Sequence, residues 1–548
     1  MEDPNTKVDA FDGTSSHHAS SNGPQPQPPT TIWGKLNPMR PSNIQYDTPL
    51  ERSIVRKFDL RILPILSLLY LFAYLDRTNL GNARLQNLPE DILGGDPTGV
   101  LFDWVNSAFF FSYILVQVPA TILMKQFNPN IWIGCVAIGW SICSVLMAAT
   151  FNFAGIMVCR IGLGAFEAGF SPAIPLYFSF FYTKTEIGVR LAWWFAFAAV
   201  ASAFGGLIAF AIQEANLGGA LHNHNWKLLF IIEGIPAFIL GVFILFYLPT
   251  RPESTAILKD GPERDLAIER TLRGTHTEKV GTFNKGICSF CYRKKSTVLT
   301  MKRNPAHVAM AFLDWKVYTA GVIYFALNAA LASTSAFLPT IVETFGFSAA
   351  DAQLLTVPPY ACAAVVLSVL AFASDRLQSR GLFCAASSLI SAIGYVYVVF
   401  QGLRVFNKIY LLVIRILTSV AENEHARYFA VFCITSGTYT HIGIILAWFV
   451  HNLGSESKKA TGMPLFMAVG QCGSVLGSHL FPSTEGPRYI KGFAVNSGLQ
   501  FLAALCAVVL TIHYRRENKR RDRVYGQVDP DAKVDTSKLA DDVRVMKY

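Results

Sequence analysis

The sequence predicts an all-α membrane protein with twelve transmembrane helices in two six-helix halves. Hydrophobic residues make up 52% of the 548 residues and charged residues only 15%, whereas a soluble domain carries about 25% charged residues. The apolar residues are grouped in runs of about 20, which is the helix length that crosses a hydrocarbon core about 30 Å thick. These runs lack the period-two alternation of barrel strands. They are therefore predicted to be helices, whose backbone groups are paired within the segment.

The predicted spans fall into two groups of six. They lie near residues 60–80, 101–124, 131–151, 154–182, 191–213, 228–248, 317–340, 352–373, 382–400, 428–450, 464–482 and 492–513. The predicted organisation is a disordered cytosolic tail over 1–57, an N-terminal six-helix bundle over 58–248, a cytosolic central loop over 249–314, a C-terminal six-helix bundle over 315–513 and a basic cytosolic tail over 514–548.

Positive charges predict the orientation, because lysine and arginine are concentrated in cytoplasmic loops. One basic cluster precedes the first span, a second lies in the central loop and a third opens the C-terminal tail. All three fall on one side when six helices precede the central loop and six follow it, so both termini are expected in the cytosol. This pattern accounts for most of the net charge of +10, and no nucleic-acid partner is needed to explain it. There is no short apolar stretch near Met1, so the first span is also expected to act as the targeting signal.

The interval 396–415 does not fit the pattern, because it carries Arg404, Lys408 and Arg415 where a short outward loop is expected. Removing about twenty residues would leave one clean span. The interval is interpreted as an atypical insertion, such as a retained intron. The alternative is an ordinary extended loop with a basic helix lying in the membrane interface.

Four ionisable residues lie inside predicted spans, where each charge costs roughly 2.5–3.5 kcal/mol on insertion scales. Asp76 and Arg77 lie late in the first span, and Arg160 and Glu167 lie in the fourth. Glu167 lies seven positions after Arg160, so at about 100° per residue the two share a helix face. An arginine can hold a carboxylate with two hydrogen bonds, and a desolvated carboxylate can exchange a proton near neutral pH. These residue types are those that proton-coupled anion uptake needs; alternatively, the charges only neutralise each other as structural pairs.

Weaker candidates are single polar residues within spans. Asn106 and Gln117 in the second span, Asn328 in the seventh and His441 in the tenth are candidate substrate-binding residues. The alternative for each is an ordinary hydrogen bond between helices. Glu233, near the start of the sixth span, is interpreted as a helix-packing or gating residue.

The sequence predicts neither an enzyme nor a metal or cofactor site. Cys288 and Cys291 form one C-x-x-C in the central loop, but a zinc site needs further ligands at metal-like spacing. No Ser/His/Asp set lies at one membrane depth, and the glycines around Gly162 lack the preceding strand of a dinucleotide fingerprint.

Several longer motifs carry a family resemblance over about residues 50 to 525. They are Leu75-Asp76-Arg77-Thr78-Asn79 with Gly81-Asn82-Ala83, Arg160-x-x-x-Gly164-x-x-Glu167-Ala168-Gly169, Glu233-Gly234-Ile235 with Leu248-Pro249, Ala447-Trp448 with Asn452, and Pro487-x-Tyr489 with Gly492. The sequence resembles the fungal allantoate permease group, in the anion:cation symporter branch of the major facilitator superfamily. The resemblance implies the major facilitator fold, with a midplane site between two halves that work by alternating access.

The resemblance also implies roles. Arg77 would grip a substrate carboxylate, Asp76 and Glu167 would handle protons, and Arg160 would bind near the substrate and pair with the acid of the fourth span. The expected function is secondary active transport of a small organic anion such as allantoate, nicotinate or a related vitamin or ureido acid, by proton symport. The protein is expected to be a monomer in the plasma membrane. The alternatives are an exporter of a secondary metabolite and a non-transporting nutrient sensor.

Overall fold

The computed structural model describes residues 49–124, 127–215, 224–272, 312–377, 379–402, 424–453 and 456–525. In these residues all regular structure is helical. The helices are α1 (Pro49–Leu85), α2 (Leu88–Ile92), α3 (Val100–Met124), α4 (Pro129–Met147), α5 (Phe153–Glu167), α6 (Ala173–Phe178), α7 (Lys184–Glu214), α8 (Asn225–Tyr247), α9 (Pro262–Leu272), α10 (Trp315–Glu343), α11 (Ala349–Leu355), α12 (Val357–Leu377), α13 (Arg380–Gly402), α14 (Glu424–Asn452), α15 (Glu456–Ser478) and α16 (Ile490–Tyr525).

Ten of the described helices or helix pairs are long and apolar enough to cross a membrane. The predicted all-α membrane fold is confirmed. The fourth predicted span departs from the prediction, because 154–182 is not one helix: α5 ends at Glu167 and α6 begins at Ala173. Gly169 and Pro172 lie in the break, and proline lacks the N–H that would continue the helical ladder. The eleventh predicted span corresponds to α15, which is long enough to cross a membrane but begins with polar residues.

The two halves of the bundle repeat each other's helix packing. In the N-terminal half α1 packs against α7 and α8, α3 against α5, and α4 against α8. In the C-terminal half the corresponding pairs are α10 with α15 and α16, α12 with α14, and α13 with α16. The pairs that join the halves, α3 with α15 and α7 with α12, are also equivalent. This repetition is what two structurally related six-helix halves produce.

Close helix approach in the N-terminal half depends on Gly164 in α5. A Cβ atom at this position would lie 2.2 Å from the carbonyl oxygen of Phe109 in α3, so no other residue fits without moving a backbone. Small residues are the common means of bringing membrane helices together. Gly164 therefore sets the distance between α3 and α5.

Helix α9 packs against one end of the N-terminal half, which we call the α9 face; the other end of the bundle is the opposite face. The Arg270 guanidinium, 1% exposed, donates to Glu51 Oε1 at 2.7 Å and to Glu186 Oε1 at 2.6 Å. Lys57 donates to Glu263. Burial opposes ionisation of Glu263, but the hydrogen bonds from Lys57 and from the Lys259 N–H outweigh it and lower the pKa of that carboxyl below its usual range. Ionic contacts thus attach α9 to the bundle.

Several predicted boundaries are shifted. Helix α1 begins at Pro49, inside the predicted 1–57 tail, and α16 continues to Tyr525, beyond 513. The predicted central loop contains α9. Helix α13 extends to Gly402, so the first part of the 396–415 interval is helical; its remainder, like the Cys288–Cys291 pair, lies outside the described residues.

Candidate functional site

The centre of the N-terminal half contains an ion pair between Arg77 of α1 and Glu167 of α5. Arg77 Nη2 donates to Glu167 Oε1; the two side chains are 15% and 2% exposed. Glu167 is the last residue of α5, where the helix dipole disfavours an anion, so a nearby cation is needed. Arg77 provides that cation, and its side chain stays partly exposed.

Asp76 faces a different neighbour from Arg77, because successive helical residues point about 100° apart. The Asp76 carboxylate accepts a hydrogen bond from the Ser144 hydroxyl of α4 and is fully buried. Its second oxygen, Oδ2, has no hydrogen-bond partner among the described residues. Asp76 therefore lies behind the Arg77–Glu167 pair, towards α4.

Arg160 of α5 is almost fully buried at 1% exposure. Its Nε and Nη2 atoms have no acceptor within the described part of the chain, although the charges of Asp76 and Glu167 act on it. The resemblance implies that Arg160 pairs with the acid of the fourth span. That expectation is wrong for this conformation, because Glu167 accepts its hydrogen bond from Arg77 instead.

Three aromatic rings surround the Arg77 guanidinium. Its central carbon lies 4.9 Å from the ring centre of Phe109, 5.5 Å from that of Tyr113 and 5.7 Å from that of Tyr74. A cation within about 6 Å of such a ring is attracted by its π-electrons. These aromatic residues are not among the predicted site residues, although Phe109 and Tyr113 lie on the same helical face of α3 as Asn106 and Gln117.

The C-terminal half reaches this region through Tyr439 of α14. Its hydroxyl lies 3.1 Å from the hydroxyl of Tyr74 and 2.8 Å from that of Ser202 in α7. Tyr439 thus connects the two halves at Tyr74, one of the three rings near Arg77. No sequence signal marks Tyr439, because a tyrosine in an apolar span is usually an ordinary core residue.

The weaker candidates fall into two groups. Asn106 and Gln117 connect the halves: Asn106 Nδ2 donates to Ser478 Oγ at 2.9 Å, and Gln117 Nε2 lies 2.9 Å from the sulfur of Met467.

Asn328 and His441 make their hydrogen bonds within the C-terminal half. Asn328 Nδ2 donates to the Tyr324 carbonyl of its own helix at 2.8 Å, and His441 Nδ1 lies 3.0 Å from Ser388 Oγ. These contacts do not bring either residue to Arg77.

On the opposite face the halves are joined around Arg84, which lies two turns beyond Arg77 on α1. Arg84 Nη2 donates to Ser483 Oγ at 2.8 Å, and its guanidinium lies between the rings of Phe102 and Phe337, 4.8 and 5.2 Å from their centres. A polar cavity of about 270 Å³, which includes Arg84, Thr340 and Ser483 in its lining, adjoins these contacts. The bundle is held together on this face.

A helical bundle of two repeated halves, with paired charges buried between helices, defines a polytopic membrane transporter. The chain belongs to the Major Facilitator Superfamily, whose family model matches residues 66–478.

Curated relatives and solved structures are similar over most of the chain. The major facilitator-type transporter hxnP of Emericella nidulans is 32% identical, over 91% of this chain and 93% of that relative. The MFS transporter prlL of Fungal sp. is 32% identical, over 87% and 89%. The D-xylose-proton symporter structure has a TM-score of 0.60 at 14% identity and covers 82% of this chain and 97% of its own. At that identity the likeness concerns the fold alone.

Proposed function

We propose that this chain takes up a small organic carboxylate together with protons, and that Arg77 binds the carboxylate. Allantoate, nicotinate and related vitamins or ureido acids are the substrates we favour, in the allantoate permease branch of the superfamily. The observation that supports this most is the Arg77–Glu167 pair, in which the guanidinium retains 15% exposure among otherwise buried charges. A carboxylate from solution is the natural competitor of Glu167 for that guanidinium.

Coupling to protons follows from this competition. When Glu167 is ionised, it occupies the Arg77 guanidinium. When it takes up a proton, its charge is lost, and Arg77 is free to hold the substrate carboxylate with two hydrogen bonds. One proton bound at Glu167 and one monocarboxylate bound at Arg77 then leave the net charge of the site unchanged. Moving the proton and the carboxylate together therefore costs less free energy than moving either alone.

Asp76 and Arg160 are proposed to support this exchange. Asp76 can bind a further proton at Oδ2, its unpartnered oxygen. Arg160 adds positive potential that favours anions. The rings of Phe109 and Tyr113 would pack against the organic part of the substrate, while Asn106 and Gln117 lie further along the same face of α3. Asn328 and His441 would contribute only after a rearrangement of the C-terminal half.

Alternating access gives the contacts between the halves their function. With both termini in the cytosol, as the basic segments favour, the α9 face is cytosolic and the opposite face is outside. The contacts at Arg84 and Ser483 would then close the outer side. We propose that the protein acts as a monomer in the plasma membrane, with bundles over 58–248 and 315–513, and moves its cargo without changing it chemically.

Uptake into a permease-deficient yeast tests the proposal. Cells expressing the full chain should take up labelled allantoate or nicotinate faster at about pH 5 than at about pH 7.5, and a protonophore should abolish accumulation. Uptake that ignores the proton gradient would refute coupling. Full uptake by Arg77→Ala would refute the site, and efflux without uptake would identify an exporter instead.

A further inference from the structure

Glu233 of α8 is a buried carboxyl group to which the proposed mechanism gives no task. It is 0% exposed, and neither Oε1 nor Oε2 has a hydrogen-bond partner within the described residues. Glu233 follows the start of α8 by eight residues, and Asp76 precedes the end of α1 by nine. At 1.5 Å per residue, Glu233 and Asp76 both lie about 12–14 Å from the opposite face. Glu233 is therefore at the same depth as Asp76, which adjoins the Arg77–Glu167 pair.

Within the described part of the chain, the helices packed against α8 bring no cation to Glu233. On α1, Arg77 pairs with Glu167 and Arg61 lies against Tyr247. From α1 the charge of Asp76 acts on it, and that charge has the same sign. The ionisable side chains of α4 are the thiols Cys135 and Cys143. Helix α7 carries its charges at its two ends: Lys184, Glu186, Arg190 and Glu214.

The backbone of α8 next to Glu233 packs closely against α4. A Cβ atom on the adjacent Gly234 would lie 2.7 Å from Val145 Cγ2 and 3.3 Å from the Ser141 carbonyl oxygen of α4. The indole Nε1 of Trp140, also on α4, is a second buried group without a partner in the described residues. An ionised Glu233 would therefore be a buried anion beside another acid, which the protein interior strongly disfavours.

Charge counting leads to the same conclusion. At the depth of Asp76 and Glu167, the described residues of the N-terminal half contribute three buried carboxyl groups, Asp76, Glu167 and Glu233, but two guanidinium groups, Arg77 and Arg160. The cluster is neutral when one carboxyl group carries a proton. Glu167 accepts a hydrogen bond from Arg77, and Asp76 accepts one from Ser144 and interacts with the positive charge of Arg160. Glu233 has neither kind of partner within the described residues, which leaves it as the protonated group.

We infer that Glu233 is a third proton-binding residue of the transport site, protonated in this conformation. The inference rests on the proposed proton-coupled function. The carboxyl oxygen holds the proton as O–H; when the bundle opens and water reaches it, the proton leaves as hydronium and the carboxylate remains. Each transport cycle would then involve Glu233 as well as Glu167.

Infrared spectroscopy of the purified full chain in liposomes tests the inference without any substrate. At about pH 7 the wild type should show the carbonyl stretch of a protonated carboxyl group, shifted by H/D exchange. Glu233→Gln should lose it, whereas the exposed Glu214→Gln should keep it. A wild-type spectrum without the band, or a band unchanged in Glu233→Gln, would overturn the inference, and the first of these results does so even where the variant does not fold.

Transport then separates a proton-binding role from a packing role. In proteoliposomes loaded with labelled allantoate or nicotinate, Glu233→Gln should retain substrate exchange but lose most of its response to a pH gradient. A packing residue would leave that response unchanged in Glu233→Gln. If wild-type transport ignores the gradient, the proposed function fails, and the infrared band still reports on Glu233.

Discussion

Replacing Arg77 with lysine keeps the positive charge of the site but removes the planar guanidinium. In the structure this group donates to Glu167 and lies within 5.7 Å of three aromatic ring centres. A lysine ammonium is a compact point charge that cannot make the paired contact of a guanidinium with a carboxylate. The substitution therefore tests recognition by geometry separately from recognition by charge.

The expected magnitude follows from the loss of one charged hydrogen bond to the substrate. Such a bond contributes about 1.5–3 kcal/mol, and about 1.4 kcal/mol corresponds to a tenfold change in affinity. The site is largely buried, since the Arg77 side chain is 15% exposed, so solvent screens little of this energy. We expect the KM for the carboxylate to rise about 10- to 150-fold in Arg77→Lys.

The assay is initial-rate uptake over a range of substrate concentrations, with surface expression measured in parallel. Arg61→Lys is the matched control: Arg61 lies earlier on the same helix, and its guanidinium stacks on Tyr247, 3.5 Å from the ring centre, away from the site. It should leave KM unchanged. An unchanged KM in Arg77→Lys, or an equal rise in both variants, would refute the proposed role of Arg77.

Three further changes test other parts of the account. Glu167→Gln removes the competing carboxylate from Arg77, so substrate exchange should persist while accumulation driven by a pH gradient is lost; retained accumulation would contradict the coupling scheme. Arg270→Met removes the guanidinium that pairs with two buried acids, Glu51 and Glu186, on the α9 face. It should lower the free energy of unfolding by about 3–5 kcal/mol, measured as reduced thermal stability in detergent; an unchanged melting temperature would count against that contact. Arg84→Ala should loosen the opposite face. A cysteine introduced by Thr340→Cys should then react faster with an impermeant maleimide in the Arg84→Ala variant than in the protein that keeps Arg84. Equal rates would argue against closure by Arg84.

Much of the fold could be predicted from the sequence, because long apolar runs in lipid have few alternatives to helices. The ends of the helices were harder to predict than their number and type. Helix α1 begins at Pro49, where a polar sequence gains its helical structure by packing against neighbours that include α9. The fourth span breaks after Glu167. The residues that follow are apolar enough to be predicted as a continuation of the span, although Gly169 and Pro172 interrupt the helix there.

The site was less predictable than the fold. Sequence spacing brought Arg160 and Glu167 to one face of α5, and both are buried. Spacing within one helix cannot give the rotation of α1 against α5, which decides that Arg77 pairs with Glu167. The contacts of Tyr439 with Tyr74 and Ser202 depend on how the two halves meet, and no local sequence pattern contains that information. Likewise, only the placement of its neighbours shows that the Glu233 carboxyl group has no hydrogen-bond partner among the described residues.

Coupling between carboxylate and protons can be measured as the simultaneous flux of protons and labelled carboxylate in proteoliposomes containing the purified full chain. We predict that an inward proton gradient drives carboxylate accumulation, that added carboxylate draws protons into the vesicles, and that Arg77→Ala abolishes both. Carboxylate entry with no accompanying proton movement, or coupled entry that survives in Arg77→Ala, would contradict the account.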